Sequence, residues 1–345
     1  MTGAGRSGRG GGMRQVAQLA GVSVSTVANV LNNPGLVAED TRRRVEEVIA
    51  RVGFVRSGPA RQLRGLPSQL VGVVTLDQGN PFYAALNRGI EDGLAEVGCV
   101  TLTCSTDVRP DKETRVLRIL EEQAVRGILV TPTSHDVTGI LEVGRRGTPV
   151  VLVDGPHGCA GACAVTVDHR LGGELVGAHL AGLGHRRLAY VRATPEVVPA
   201  TDRLAGLHAA LRTSGLDPAE ALVEVRISPA SRLVEDADRI VDEILDRRDP
   251  PTAIACVNDL AALGVMRGLA RRGRRVPEDV SVVGYDDLDF AALLHPALTS
   301  VRTPVRELGR AAAGMLLDEA ADGHRHTEIR FAPTLIVRDS SAPPG

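Results

Sequence analysis

Apolar positions recur along this chain in two rhythms. From residue 13 to residue 53 they are spaced for helix faces: Val16 and Leu19, then Val27 and Val30, then Val45, Val48, Ile49 and Val52, at the three-and-four interval of an amphipathic helix. Beyond Pro67 the texture changes. Short apolar runs at 71–76, 100–104, 127–130 and 150–153 are bounded by turn residues and predict buried parallel strands. Between them, 82–97, 112–123 and 137–146 carry helical periodicity. A second series of predicted strands follows at 188–191, 224–227, 253–257 and 280–285, with helices such as 172–183 and 202–214. Two alternating series predict two doubly wound parallel-sheet lobes behind an all-α headpiece.

The headpiece pattern predicts a helix-turn-helix over 16–32. Ala17 is small enough for two helices to approach, and Gly21 stands where the turn needs positive φ. Ser23 is a natural N-cap for the second helix. On that helix Val27 and Val30 are expected to pack back onto Leu19 and Val16. Asn32-Asn33-Pro34-Gly35 is a turn cluster, a third helix runs from Glu39 to Val52, and Gly53 stops it. Residues 55–66 read as a basic linker in which Pro59 opens a short helix ending at Arg64.

With 345 residues the chain suits two or three domains. Charge sharpens the division. The net charge is −2, yet residues 13–66 hold eight arginines against four acidic residues. A basic module on an acidic remainder is the asymmetry expected when one end touches phosphates. Residues 1–12 are glycine-rich with Arg6 and Arg9. They are expected to be a disordered tail, with Met13 an alternative start. Neither a secretory leader nor a membrane span is read from the sequence, so the expected location is the cytoplasm. Five cysteines form no disulfide framework. Cys159 and Cys163 lie near His157 and His169 in a Gly/Ala-rich stretch, match no tight zinc spacing, and leave no metal or cofactor expected. Gly-x-Ser-x-Gly and phosphate-loop motifs are lacking and the histidines are scattered, so the chain is not expected to be an enzyme.

Several motifs follow one another in order. They include Val16-Ala17-Gln18-Leu19-Ala20-Gly21-Val22-Ser23 with Thr26-Val27, then Ala60-Arg61-Gln62-Leu63, then Asn80-Pro81-Phe82-Tyr83. Asp168 with Gly172-Gly173, Leu183-Gly184-His185-Arg186-Arg187, and Asn258-Asp259 come next. The most specific stretch runs from Val276 to Asp287, with Pro296-Ala297-Leu298-Thr299 after it. From about Met13 to Arg338 the sequence therefore resembles the LacI/GalR (lactose-repressor/galactose-repressor) family of bacterial transcription regulators. The resemblance implies a homodimer that reads palindromic double-stranded operator DNA, does not enter a membrane, and carries a periplasmic-binding-protein-like part taking a small-molecule effector.

It also implies site residues. Val24, Ser25 and Asn29 would read base edges, an asparagine being able to bridge adenine N6 and N7. Thr26 and Asn32 would contact phosphates, with Ser23 in the same surface. Leu63 would wedge into the minor groove from a hinge helix that folds only on DNA. Phe82, Tyr83, Asp154, Arg203, Asn258 and Asp286 would line the effector cleft, a polar set suited to a hydroxyl-rich ligand, by family default a sugar or sugar derivative. The implied layout is a headpiece at 13–54, a hinge at 55–66, and an effector and dimerisation part at 67–345. Its first lobe would comprise 67–168 and 303–329, and its second 169–302 and 330–345. This sequence departs from the pattern at Asn29, commonly arginine, and at Arg56-Ser57, usually Pro-Asn. Ile227 stands where a stacking aromatic is frequent, and Val197, Val198 and Pro199 replace a polar loop. A second reading is therefore a regulator with a degenerate pocket, acting without effector or through a protein partner. An exported solute-binding protein is disfavoured by the helix-turn-helix.

Overall fold

The computed structural model describes residues 12–55, 67–194, 197–227, 232–319 and 323–345. It forms two compact units, Met1–Pro67 and Ser68–Gly345. The expected tail and most of the hinge, Pro59 and Leu63 included, lie outside the described residues.

The first unit holds α1 (Met13–Ala20), α2 (Val24–Asn32) and α3 (Glu39–Val52), with a single 3-10 turn at Pro34–Leu36 between the last two. Its core is built from valines and alanines: Val16, Ala17, Ala20, Val27, Val30, Val45 and Val48. Gly21 ends α1 at φ 66° and Gly53 ends α3 at φ 62°, both left-handed positions that favour glycine. Leu19 corrects the packing expected from periodicity. It is 48% exposed, and Ala17 and Ala20 take the inward side of α1 instead, because only small residues let α2 come close. Arg44 on α3 closes the end of α1, donating from Nε to the Ala20 carbonyl at 2.9 Å.

The second unit contains two six-stranded sheets. The strands are β1 (Leu70–Thr75), β2 (Val100–Ser105), β3 (Ile128–Val130), β4 (Val150–Val153), β5 (Cys163–Val167) and β6 (Leu188–Ala193). They continue with β7 (Leu222–Ile227), β8 (Ala253–Cys256), β9 (Ser281–Asp286), β10 (Thr299–Arg302), β11 (Glu328–Phe331) and β12 (Thr334–Ile336). The first sheet has the order β11-β5-β4-β3-β1-β2 and the second β12-β10-β9-β8-β6-β7. All pairings are parallel except β10 with β12. The helices are α4 (Pro81–Leu94), α5 (Pro110–Glu122), α6 (Thr138–Arg145), α7 (His169–Gly182), α8 (Val198–Thr213), α9 (Pro218–Ala221), α10 (Leu233–Leu245), α11 (Asp259–Arg271) and α12 (Val305–Glu319).

The inner strands β3, β4 and β5 are buried along their whole length, as continuous apolar runs between two helical layers should be. The chain crosses between the sheets after β5, after β10 and after β11. Two local expectations change. Cys163 does not sit in a loose loop but opens the fully buried β5. The return to the first sheet runs on through Phe331, paired with Val167, two residues past the boundary expected at about 329. No helix among the described residues is long and apolar enough to cross a membrane.

Candidate functional site

The first candidate surface is the outer face of α2. Val27 and Val30 occupy its inner side, so the helical repeat turns Val24, Ser25, Asn29 and Asn32 outward, and all four are exposed. Thr26 is half-buried. Ser23 caps the helix as expected: its Oγ accepts from the Thr26 amide at 3.0 Å and also lies 2.7 Å from Ser25 Oγ and 2.8 Å from Thr26 Oγ1. These hydroxyls cluster at the N-terminal end of α2, where helix amides and the dipole favour an anion such as a phosphate. Leu63 lies outside the described residues.

The second is a cleft in the other unit, at the carboxyl ends of strands from both sheets, where open α/β folds bind ligands. All six expected effector residues line it, together with Asp77, Asn80, Thr131, Val197 and Pro199. Asp154 follows β4 directly and Asp286 is the last residue of β9; both have positive φ, 52° and 101°. Such strained backbone is frequent at binding sites. Asn258 caps α11, accepting the Ala261 amide at 2.9 Å, which leaves its amide nitrogen as the donor available to a ligand. Phe82 and Tyr83 meet edge to face in the first turn of α4, with centroids 5.2 Å apart. Ile227 is in the second-lobe core and is not among the cleft residues.

A buried polar chain runs along the cleft floor. Arg203 Nη1 donates to the Val257 carbonyl at 2.5 Å, its Nε to His169 Nδ1 at 3.3 Å, and its Nη2 lies 3.6 Å from Asp286 Oδ1. The guanidinium carbon sits 3.6 Å above the Tyr285 ring centre, a cation–π contact. His169 Nε2 is 3.1 Å from Asp154 Oδ1. That carboxylate oxygen also accepts the Val167 amide at 3.1 Å. His169 follows the β5 crossing, so this chain links a residue of the first lobe to Arg203 and Asp286 in the second.

The helix carrying Arg203 comes this close because α7 offers glycine at the contact. A Cβ at Gly173 would collide with the Arg203 carbonyl, and one at Gly172 with the Tyr285 hydroxyl. Gly173 on α7, together with Gly206 on α8, where a Cβ would collide with the Arg170 carbonyl, is thus what allows the two helices to pack backbone to backbone, while Gly172 makes room for Tyr285 of β9.

Burial and neighbours set the charges. Burial pushes the Asp286 carboxyl up to about 8, with Arg203 opposing and Asp259 and Asp154 adding to the rise. Asp154 stays below the usual carboxylate range although burial works against it, because His169, the Val167 amide and Arg203 favour its charge. Burial lowers His169 despite Asp154. Burial, then Asp154 and Asp286, raise Tyr83, which keeps it a neutral donor. The six expected residues therefore present one carboxylate, one carboxylic acid near neutrality, a guanidinium, a phenol and an amide, and Asp77 and Asn80 add a further carboxyl and a further amide to the cleft: donors and acceptors intermixed.

His169 lies buried beneath the cleft-lining residues, and sequence reading does not find it, placing it near Cys163 instead. Its partners are far away in sequence, and nothing local marks it. Asp77 and Asn80 were closer to hand, since both stand in the loop between β1 and α4. His157 does not join Cys163 either: it contacts Asp202 at 3.1 Å and Glu328 at 3.3 Å.

Comparison with known proteins follows the same division. Residues 12–57 match the family described as bacterial regulatory proteins, lacI family, and residues 178–341 match the periplasmic binding protein-like domain. The chain is similar to the HTH-type transcriptional regulator DegA of Bacillus subtilis (strain 168), 31% identical over 334 residues, covering 95% of this chain and 97% of that protein. Among solved structures it is similar to the Lac repressor dimer bound to operator and the anti-inducer ONPF. That likeness has a TM-score of 0.82 at 26% identity, covering 97% of this chain and 100% of the other. A LacI family transcriptional regulator from Enterococcus faecium with bound ribose gives a TM-score of 0.71 at 29% identity, covering 80% of this chain and 100% of the other.

Proposed function

Because the chain belongs to the lacI family of bacterial regulatory proteins, and is with it a DNA-binding transcriptional regulator controlled by a small-molecule effector, we propose the following division of labour. It acts in the cytoplasm as a homodimeric repressor, without catalysis, each protomer reading half of a palindrome. Val24, Ser25 and Asn29 contact base edges; Ser23, Thr26 and Asn32 hold phosphates. Leu63 wedges the minor groove at the operator centre. The effector enters the cleft and is held by Tyr83, Asp154, Arg203, Asn258 and Asp286, with Phe82 closing one side.

The observation that carries the effector reading is the convergence of six residues, scattered from 82 to 286 in sequence, on one cleft. Intermixed donors and acceptors suit a ligand rich in hydroxyls, each of which both donates and accepts. The ribose held by the Enterococcus faecium neighbour supports a small sugar or sugar derivative. Val197 and Pro199 supply an apolar wall where a polar loop is common, and Ile227 lies in the core rather than offering a stacking face, which favours compact ligands over broad ring faces. Ligand binding changes lobe closure through the Asp154–His169–Arg203 chain, and closure sets the spacing of the two hinge segments in the dimer.

A thermal-shift panel of pentoses, hexoses and their phosphorylated or acidic derivatives tests this reading, since a ligand bound only by the folded state raises stability. A concentration-dependent rise with one compound, lost in Arg203→Ala, is the expected result. A rise that persists in Arg203→Ala, or a panel without any rise, contradicts the assignment of the cleft.

A further inference from the structure

A second polar cluster lies away from the cleft, in the first lobe. Cys163 opens β5, Glu319 ends α12, and His324 and His326 stand in the segment that leads into β11. Their donor atoms all fall within 4.8 Å of one another. Cys163 Sγ is 3.0 Å from His324 Nε2, and Glu319 Oε1 is 3.6 Å from His326 Nδ1. The two imidazoles meet edge to face, centroids 5.6 Å apart. We propose that Cys163, Glu319, His324 and His326 are the four ligands of a zinc-type transition-metal site.

Geometry comes first. Zinc bonds of about 2.0–2.3 Å in a tetrahedron place neighbouring donors roughly 3.3–3.8 Å apart. The Cys163–His324 and Glu319–His326 pairs already stand near that spacing. The widest separation in the cluster closes with a side-chain adjustment on the order of 1 Å, available to the exposed His326.

Donor chemistry selects the ion. One thiolate, two imidazoles and a carboxylate suit zinc and its neighbours in the first transition row, whereas magnesium and calcium prefer oxygen donors. Thiolate and carboxylate together balance a divalent charge.

Electrostatics gives the second observation. Cys163 is completely buried, and Glu319 Oε2 is buried with no hydrogen-bond partner among the described residues. A buried carboxylate oxygen without a donor is costly, and a cation at the cluster centre removes that cost. The Thr327 amide points at Cys163 Sγ, 3.5 Å away, the kind of outer hydrogen bond that orients a metal-bound sulfur.

All four ligands are protein groups, so the site is closed and structural rather than catalytic. It would join the segment before β11 to β5 and to the end of α12. The chain leaves β11 at the last crossing between the lobes, and the metal would therefore fix one side of that crossing. This inference does not depend on the effector cleft or on the DNA face.

The test uses the full chain, reduced and stripped of metal with a chelator, titrated with cobalt(II) and then with zinc. One cobalt(II) per chain should bind with a thiolate-to-cobalt charge-transfer band, and zinc should displace it. Cys163→Ser should abolish the band and Cys159→Ala should leave it unchanged. His324→Ala and His326→Ala should each weaken binding by more than about tenfold, the lower end of what even outer-shell changes cost. Absence of the band in the parent protein, its persistence in Cys163→Ser, or unchanged affinity in both histidine variants overturns the site. Far-UV circular dichroism accompanies each variant; should Cys163→Ser not fold, the histidine variants decide the matter.

Discussion

The two candidate surfaces are built in opposite ways. The face of α2 is local: a cap, two adjacent hydroxyl side chains and an asparagine one turn on, all within ten residues and exposed apart from half-buried Thr26, presented by a core of small valines and alanines. The cleft is non-local. Its floor joins Asp154, His169, Arg203 and Asp286 from four separate elements, every one of them buried, and holds them through mutual contacts. A DNA reader needs side chains free to meet an external partner, so its residues make few internal commitments. A pocket for a small ligand needs fixed donors and acceptors, and each residue there is pinned by another. The same substitution should therefore be felt locally in one region and at a distance in the other.

The largest effect should follow Arg203→Ala. Removing one partner from a buried charged network costs about 3–5 kcal/mol, here toward the lower end because Asp286 is close to neutral at pH 7. Chemical denaturation should register the loss, while operator affinity at a temperature where the variant is folded stays within about twofold of the parent, a difference of roughly 0.4 kcal/mol. A variant as stable as the parent would mean that the chain along the cleft floor does not hold the lobes.

Asp286→Asn should act through pH. The folded pKa, about 8, lies above the ordinary carboxylate value of 3.8. As pH rises from about 4 to about 8, the unfolded chain loses this proton while the folded chain keeps it, so the stabilising contribution is lost across that window and levels off above it. The variant lacks this dependence. Its melting temperature relative to the parent should climb between pH 5 and pH 8; buried Asp259, itself raised to about 7, gives both proteins a slope of their own that cancels in this difference. A difference that does not change with pH would place the Asp286 proton elsewhere.

Ser23→Ala should have the smallest effect on stability, about 1 kcal/mol from the lost cap, confined to the headpiece. Hydrogen exchange would then speed up in α1–α3 and not in the second unit. Acceleration in both would contradict the local character of the α2 face.

The same contrast explains what the sequence reveals. The helix-turn-helix is legible because its signals are close together: Gly21 at positive φ, Ser23 at the cap, valines at helical spacing. Only the facing of Leu19 escapes, since periodicity alone cannot say that two alanines would be preferred where helices touch. The α/β alternation is legible from apolar runs. β10 is not, because Thr299 and Ser300 are buried polar residues satisfied by Ser340, Asp259 and the Arg338 carbonyl, and a search for apolar runs passes over them. The cleft residues follow from the family resemblance, yet His169 does not, for its role depends on Tyr285 and Arg203 arriving from distant strands and helices. Cys163 is the plainest case. Sequence spacing joins it to Cys159, and the fold joins it to His324 and His326 instead.

The most direct test of the account is selection of random duplex DNA by the purified protein, followed by sequencing, for the parent and for Asn29→Arg. The account predicts an enriched palindrome with two symmetric half-sites, and a change of the preferred base at one symmetric pair of positions in the variant, worth about 1–3 kcal/mol of discrimination. Enrichment of a single unrepeated site, or identical preferences in the two proteins, would contradict a dimer that reads DNA through the outer face of α2.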